Sequence, residues 1–331
     1  MTHAVFLDFD SVTRGDIDRS ALEKVTSPWI FYGDTDSTQL AKRIQEAEVV
    51  VTNKTALDQD AIFSANKLKL ICISATGYNN IDLVAAAERN IAVCNVRSYA
   101  TQSVTQHVFM LMLALTRHFI DYQHLINSGG WQASRFFCRL DHPIEELTGK
   151  TLGIIGYGEL GRSVARVAEA FGMQVLIAEH KGVATPSIRT GKMAFDEVLA
   201  LADFISLHCP LFPETHHLIS EREFALMRPS AYLINTARGG LIDETALLRS
   251  LQTGQIAGAA IDVLQKEPPT ANHSLLTYPH SNLIITPHIA WASRSARQRL
   301  LELVAENIDN FQQGRNFNQI TDALKDRAGQ N

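Results

Sequence analysis

L-G-I-I-G-Y-G-E-L-G, residues Leu152–Gly161, is the stretch that decides the fold. An apolar strand, Leu152–Ile155, leads into Gly156-x-Gly158-x-x-Gly161, and the mixed polar and apolar run Glu159–Phe171 reads as the helix that follows. Strand, glycine turn and helix together form the context that a dinucleotide fingerprint needs. Gly156 makes the tight turn, Gly158 lets the main chain approach a pyrophosphate, and Gly161 lets helix and strand pack closely. The helix start offers N–H groups and a partial positive charge, so Tyr157, Glu159 and Leu160 join the three glycines as expected contacts.

A chain of 331 residues exceeds the size at which one core stops growing, so two domains are expected. Hydrophobic residues at 46% and charged residues at 20% fit an ordinary globular protein. A net charge of -5 argues against nucleic acid and anionic membranes as partners. The four cysteines show no C-x-x-C spacing, the first residues lack a signal-peptide pattern, and no metal ligands are assigned; a cytoplasmic enzyme is expected. The apolar run Val108–Leu115 is far shorter than the roughly 20 residues a membrane span requires.

Short apolar strands at Ala4–Asp8, Trp29–Tyr32, Glu48–Val51, Leu70–Ile73 and Ala92–Cys94 alternate with helical patterns, which predicts parallel βα units. Gln102–Ile126 reads as one long helix with a stripe of His107, Met110, Leu111, Ala114 and Leu115. It is apolar beyond one stripe, so interdomain packing or a subunit interface is expected. Strands follow at Gln174–Ala178, Phe204–Leu207, Tyr232–Asn235, Gly258–Val263 and Leu283–Thr286, and a last helix near Arg294–Phe311 is long enough to return to the first domain. The expected division is 1–99 and 287–331 for one discontinuous domain, with 100–286 for the nucleotide-binding domain.

Glu179 ends the second strand of the nucleotide unit, roughly 20 residues past the glycines, where an acidic side chain accepts hydrogen bonds from a ribose diol. A carboxylate there repels a 2′-phosphate and favours NAD over NADP, although His180 and Lys181 offer opposing charge. Without a ligand, the same glycines would serve only to join helix and strand.

Three later segments each end an apolar strand, the usual ligand edge of a parallel sheet. They are Asn235–Gly240, Asp262–Pro268 and Thr286–His288. Arg238 carries a planar fork suited to a carboxylate and an adjacent keto oxygen, and Gly239-Gly240 after it allows close main-chain approach. His288 can exchange a proton with a carbonyl oxygen, and Glu267 can orient the imidazole and favour its protonated form. Asp262 either contacts the nicotinamide end of a cofactor or caps its own turn.

In order along the chain stand T-G-Y-N-N-I-D at 76–82, G-K-T-L-G-I-I-G-Y-G-E-L-G at 149–161, H-C-P-L at 208–211, N-T-A-R-G-G at 235–240, D-V-L-Q-K-E-P at 262–268 and T-P-H-I-A at 286–290. This set resembles the D-isomer-specific 2-hydroxyacid dehydrogenases over nearly the whole chain. The resemblance implies an α/β protein with a Rossmann-type NAD-binding domain inserted into a flavodoxin-like substrate domain. It further implies substrate binding by Arg238, acid/base work by His288 with Glu267 behind it, and cofactor contacts from Cys209, Pro210, Thr236, Ala237, Arg238, Asp262 and His288. Asn53, Ala75, Thr76 and Gly77 are carried over as substrate contacts in an interdomain cleft, with a packed strand-to-turn connection as the bland alternative. The family more often has Pro-Gly within the segment around Val96–Tyr99, where this chain has Arg97-Ser98.

Within the family, Trp131, Phe137-Cys138 and Pro287–Trp291 resemble glycerate dehydrogenases, also called hydroxypyruvate reductases. Trp131 or Trp291 is expected to close a small pocket, core packing being the alternative for either. A small 2-keto or D-2-hydroxy acid and a homodimer through the nucleotide-binding domains are the implied partners. Reduction of glyoxylate, pyruvate or another 2-keto acid is the near alternative. An NAD-sensing, corepressor-like binding protein is the distant one.

Overall fold

The computed structural model describes residues 3–184, 187–315 and 317–320. The chain divides into two compact units, residues 1–100 with 292–331 and residues 101–291.

The first unit alternates β1 (Ala4–Phe6), α1 (Ser20–Val25), β2 (Trp29–Phe31), α2 (Ser37–Ile44), β3 (Val49–Thr52), α3 (Gln59–Ser64), β4 (Leu70–Ile73), α4 (Leu83–Glu88) and β5 (Ala92–Cys94). Its five strands are parallel in the order β2-β1-β3-β4-β5, the flavodoxin-type winding. β3 and β4, V-V-V-T and L-I-C-I, are buried at every position, as strands covered on both faces require. Asp36, Asp58 and Asp82 start α2, α3 and α4 by accepting first-turn N–H groups.

The second unit opens with α5 (Thr101–Thr116) and α6 (Phe119–Asn127). It continues through β6 (Thr151–Ile155), α7 (Glu159–Ala170), β7 (Gln174–Ile177), α8 (Phe195–Leu201), β8 (Phe204–Leu207) and α9 (Glu221–Leu226). β9 (Tyr232–Asn235), α10 (Glu244–Gln252), β10 (Gly258–Ile261) and β11 (Leu283–Ile285) complete it. All six strands are parallel in the order β11-β10-β9-β8-β6-β7. The winding reverses between β6 and β8, which creates a switch point at the carboxyl edge. Val198, Leu199, Ile205, Leu207, Leu233, Leu247 and Ala259 share one hydrophobic core cluster of this unit. α11 (Arg294–Gln312) belongs to the first unit, where Asn307 Nδ2 donates to the Asn95 carbonyl at 3.0 Å.

The single helix expected over Gln102–Ile126 is two helices. His118 takes a left-handed conformation with φ 49°, and the Thr116 carbonyl accepts from the Glu145 N–H at 3.1 Å instead of from a continuing turn. His118 Nδ1 meets Asp121 Oδ2 at 3.0 Å, which steadies the break. The expected stripe also needs correction: Met110 is 48% exposed, whereas Val104, Val108, Phe109, Leu111, Met112 and Leu115 are buried. Leu111→Ala is therefore expected to cost about 2–5 kcal/mol, and Met110→Ala no more than about 0.5 kcal/mol. Urea unfolding followed by circular dichroism checks the contrast, and equal losses would contradict this orientation of α5.

Candidate active site

Steric closeness builds the edge of the second unit. A Cβ on Gly156, whose φ is +95°, would lie 2.5 Å from the Cys209 nitrogen, so the loops after β6 and β8 touch at the switch point. A Cβ on Gly161 would lie 2.2 Å from the Gly156 carbonyl oxygen, so α7 starts directly against the turn. At Gly158, by contrast, a Cβ would meet nothing within 4 Å. That open space lies at the start of a twelve-residue helix whose first-turn N–H groups have no intrahelical acceptors. A pyrophosphate fits such a cradle in size and charge. Tyr157 and Leu160 flank it, and the Glu159 carboxylate accepts from Thr101 Oγ1.

The next loops continue the same edge. Residues Asn235, Ile261 and Ile285 are aligned across neighbouring strands β9, β10 and β11, so Arg238, Asp262–Glu267 and His288 leave the sheet side by side. The Asn235 side chain shapes the first turn: its Oδ1 accepts from the Ala237 N–H at 3.0 Å, and its Nδ2 donates to the Arg238 carbonyl at 2.9 Å. A Cβ on Gly239 would lie 2.0 Å from the Leu264 carbonyl carbon, so the turn carrying Arg238 rests on the turn carrying Glu267. Leu264 N–H donates to Glu267 Oε1 at 2.8 Å, and Glu267 Oε2 meets His288 Nδ1 at 2.6 Å. An ionised carboxylate only accepts, which assigns the proton to Nδ1 and leaves Nε2 for chemistry. The His288 ring is partly exposed, and its backbone is left-handed with φ 55°.

Asp262 explains how His288 is held. The residue is 1% exposed; Oδ1 accepts from Thr286 Oγ1 at 2.5 Å and Ile289 N–H at 2.9 Å, while Oδ2 accepts from Ala290 N–H at 2.8 Å. The Asp262 carbonyl accepts from the His288 N–H at 2.8 Å. Its carboxylate thus caps the 286–290 turn, the structural role that the sequence also allowed. His107 Nε2 meets Thr286 Oγ1 at 2.9 Å, and burial pushes this histidine below its ordinary value despite the nearby Asp262. Trp291 Nε1 donates to the His288 carbonyl at 2.9 Å.

Cys209 and Pro210 stand at the switch point after β8. Burial pushes the Cys209 thiol up to about 11, which favours its protonated form. Burial likewise lowers His208 to about 4, and its Nε2 meets Ser206 Oγ at 2.9 Å. Thr236 Oγ1 is buried with no protein partner among the described residues, on the turn after β9 beside Ala237.

Glu179 follows β7, as expected, but its carboxylate is already gripped. Its Oε2 accepts from Arg189 Nε at 2.7 Å and the Arg189 N–H at 3.2 Å. Oε1 accepts from Arg189 Nη2, from the His180 N–H at 2.9 Å and from Lys192 Nζ at 3.4 Å. The Arg189 guanidinium holds the Glu179 carboxyl well below the usual carboxylate range.

In the first unit, Asn53 follows β3, and Ala75, Thr76 and Gly77 follow β4, so all four lie at the carboxyl edge of that sheet. Asp8 is buried against the loop after β3: Oδ1 accepts from the Asn53 N–H at 2.8 Å, and Oδ2 from the N–H groups of Lys54 and Thr55 at 2.6 and 2.9 Å. Asn53 Nδ2 donates to Ser11 Oγ at 3.0 Å. Thr76 Oγ1 donates to the Val96 carbonyl at 2.9 Å, and the Thr76 carbonyl accepts from Asn95 Nδ2 at 2.7 Å.

Residues 109–290 match the family model described as D-isomer specific 2-hydroxyacid dehydrogenase, NAD binding domain. The chain belongs to the D-isomer-specific 2-hydroxyacid dehydrogenase family. Among curated members of this dehydrogenase family, glycerate dehydrogenase of Methylorubrum extorquens is 40% identical over 92% of this chain and 97% of its own length. Glyoxylate reductase of Thermococcus litoralis is 38% identical over 83% of each chain. A crystal structure of D-lactate dehydrogenase from Aquifex aeolicus, complexed with NAD and lactic acid, superposes with a TM-score of 0.79 at 29% identity, covering 94% of this chain and 96% of that one. The dehydrogenase therefore has a nicotinamide-dinucleotide domain, and the open cradle at Gly158 fits that cofactor.

Sequence reasoning missed Asp8, Arg189, Lys192 and the clamp of Asp262 on the turn after His288. Asp8 was readable only as the end of a strand, and Arg189 lies in an irregular segment with no period to place it. The glycine geometry gives a direct test. Gly161→Val should destabilise the dehydrogenase by about 1–3 kcal/mol through the clash with the Gly156 carbonyl, whereas Gly158→Ala should leave the melting temperature nearly unchanged. Thermal unfolding without added nucleotide measures both, and equal losses would contradict the open cradle.

Proposed function

We propose that this dehydrogenase catalyses the reversible reaction hydroxypyruvate + NADH + H⁺ to D-glycerate + NAD⁺. The observation that carries the proposal is the 2.6 Å contact between His288 Nδ1 and Glu267 Oε2, set beside the Arg238 turn on the nucleotide edge. An imidazole oriented by a carboxylate is an acid/base device, and a protein that merely sensed a nucleotide would have no use for it.

Arg238 binds the substrate carboxylate and the C2 carbonyl oxygen through its planar fork. His288 gives the proton on Nε2 to that oxygen during reduction and takes it back during oxidation. Glu267 acts through His288 as a positioning residue: it keeps the ring oriented and stabilises the imidazolium. When bound, the nicotinamide supplies the hydride for C2 or accepts it. Gly156, Tyr157, Gly158, Glu159, Leu160 and Gly161 cradle the pyrophosphate, Glu179 faces the adenosine ribose, and Cys209, Pro210, Thr236 and Ala237 line the nicotinamide end. Main-chain groups of Ala75, Thr76 and Gly77, with Asn53, complete the substrate contacts.

The choice of hydroxypyruvate is supported by the glycerate dehydrogenase relative and by Trp291, whose indole is tied to the His288 carbonyl and presents aromatic bulk against longer side chains. The glyoxylate reductase relative supports glyoxylate as the second reading. A homodimer through the second unit is also proposed, because Trp131, Phe136, Phe137 and Leu140 expose a run of large apolar side chains there, Phe137 at 90%. No helix among the described residues is long and apolar enough to cross a membrane, and we infer a cytoplasmic enzyme from the cysteine pattern.

A kinetic panel of hydroxypyruvate, glyoxylate, pyruvate and phosphohydroxypyruvate should give the highest kcat/KM with hydroxypyruvate; a higher value for any other acid would overturn the substrate choice. His288→Ala should lower kcat on the order of 10²–10⁴-fold while NADH binding, read by fluorescence, survives. Near-normal turnover would exclude the acid/base role. Arg238→Ala should raise KM for the keto acid far more than the dissociation constant for NADH, and parallel losses would refute its assignment to the substrate.

A further inference from the structure

Glu179 sits where a ribose diol would seek an acceptor, yet its side chain is 2% exposed and surrounded by donors. A carboxylate has about four lone-pair sites. Here they face three backbone or side-chain donors of Arg189, the His180 N–H and the Lys192 ammonium. A diol can reach this carboxylate only if one of those donors leaves. The adenosine end of the site is therefore built differently from one whose acidic residue waits open for hydroxyl groups.

The charge around the carboxylate points the same way. Arg189 and Lys192 are two full cations against one anion, and the His180 ring, 74% exposed, lies 4.0 Å from Oε1. Arg189 remains 59% exposed, with Nε and Nη2 turned to Glu179 and Nη1 unpartnered among the described residues. Lys181, the other nearby cation, is spent on Glu223 at 2.9 Å. Beyond the shielded carboxylate, then, the surface next to the ribose position presents a guanidinium edge backed by an ammonium. A phosphate monoester dianion is the complement of that arrangement.

We propose that Arg189 and Lys192 form a subsite for the 2′-phosphate of NADPH, so that the protein binds NADPH about as tightly as NADH. The inference rests on the nicotinamide-dinucleotide reading of the Gly156–Gly161 cradle and refines its cofactor choice. Glu179 serves within it as the anchor that holds Arg189 in place; it does not exclude phosphate, because its charge is matched before the nucleotide arrives. With NADH, the ribose diol competes with Arg189 for Glu179; with NADPH, Arg189 stays and gains a second anionic partner.

The test is direct binding of NADPH and NADH to the full chain, read by nicotinamide fluorescence and by calorimetry, without any keto acid. The expected dissociation constants for the two nucleotides agree within about tenfold, and rising salt weakens NADPH more than NADH. Arg189→Ala should weaken NADPH at least tenfold and leave NADH unchanged or tighter. Retained NADH binding also reports that the variant is folded. Lys192→Ala, which keeps the Arg189 clamp, should weaken NADPH severalfold in the same selective way. A wild-type protein that binds NADH more than a hundredfold tighter than NADPH overturns the subsite alone, as does an equal loss of both nucleotides in both variants. A protein that binds neither nucleotide overturns the cradle reading along with it.

Discussion

The contact of Gly239 with the Leu264 carbonyl is the constraint on which the candidate site depends. Main chain meets main chain there, and neither side has a rotamer with which to yield. On the turn that Gly239 touches, the Leu264 N–H donates to Glu267, and Glu267 reaches His288. Arg238, one residue before the glycine, is fixed to the same support. A side chain at position 239 would separate the turns and lose the shared placement of all three groups. The edge is thus organised by what is missing from its glycines as much as by the polar residues it displays.

The sequence pattern made the second unit's sheet unusually legible. Phe204–Leu207 and Tyr232–Asn235 form strands because each is a nearly continuous buried stretch, and Glu244–Gln252 forms a helix because Ala246, Leu247, Ser250 and Leu251 recur on one buried face behind the Asp243 cap. Glycine fingerprint and switch point were readable for the same reason: local chemistry specifies them. The break at His118 was not. It is set by the Glu145 N–H, which comes from a distant loop to take the Thr116 carbonyl, and no helical period within Gln102–Ile126 encodes that donor.

The candidate site divides along the same line. Arg238, Glu267 and His288 were visible because each closely follows an apolar strand or stands in a short motif. The structure adds the connections between them. Sequence left Asp262 between capping and cofactor contact; burial and three donors from Thr286, Ile289 and Ala290 make it the anchor of the turn after β11. His288 itself occupies a left-handed conformation, which costs a non-glycine residue about 1–3 kcal/mol. Asp262 offsets that strain by accepting the His288 N–H on its carbonyl and the next two N–H groups on its carboxylate.

Three carboxylates at this edge show why residue identity alone does not assign a role. Glu267 is partly exposed and has one oxygen on a backbone N–H and the other on an imidazole, so its charge can respond to a proton on His288. Asp262 is buried and shares its charge among fixed protein donors, which stiffens the turn after β11. Glu179 is as buried as Asp262 but is matched by side-chain cations, Arg189, which is 59% exposed, and Lys192, which is largely buried. A ligand arriving at Glu179 therefore meets the guanidinium before the carboxylate. The charge presented at this position is therefore set by the acidic residue together with its counter-ions in the loop, not by the acidic residue alone.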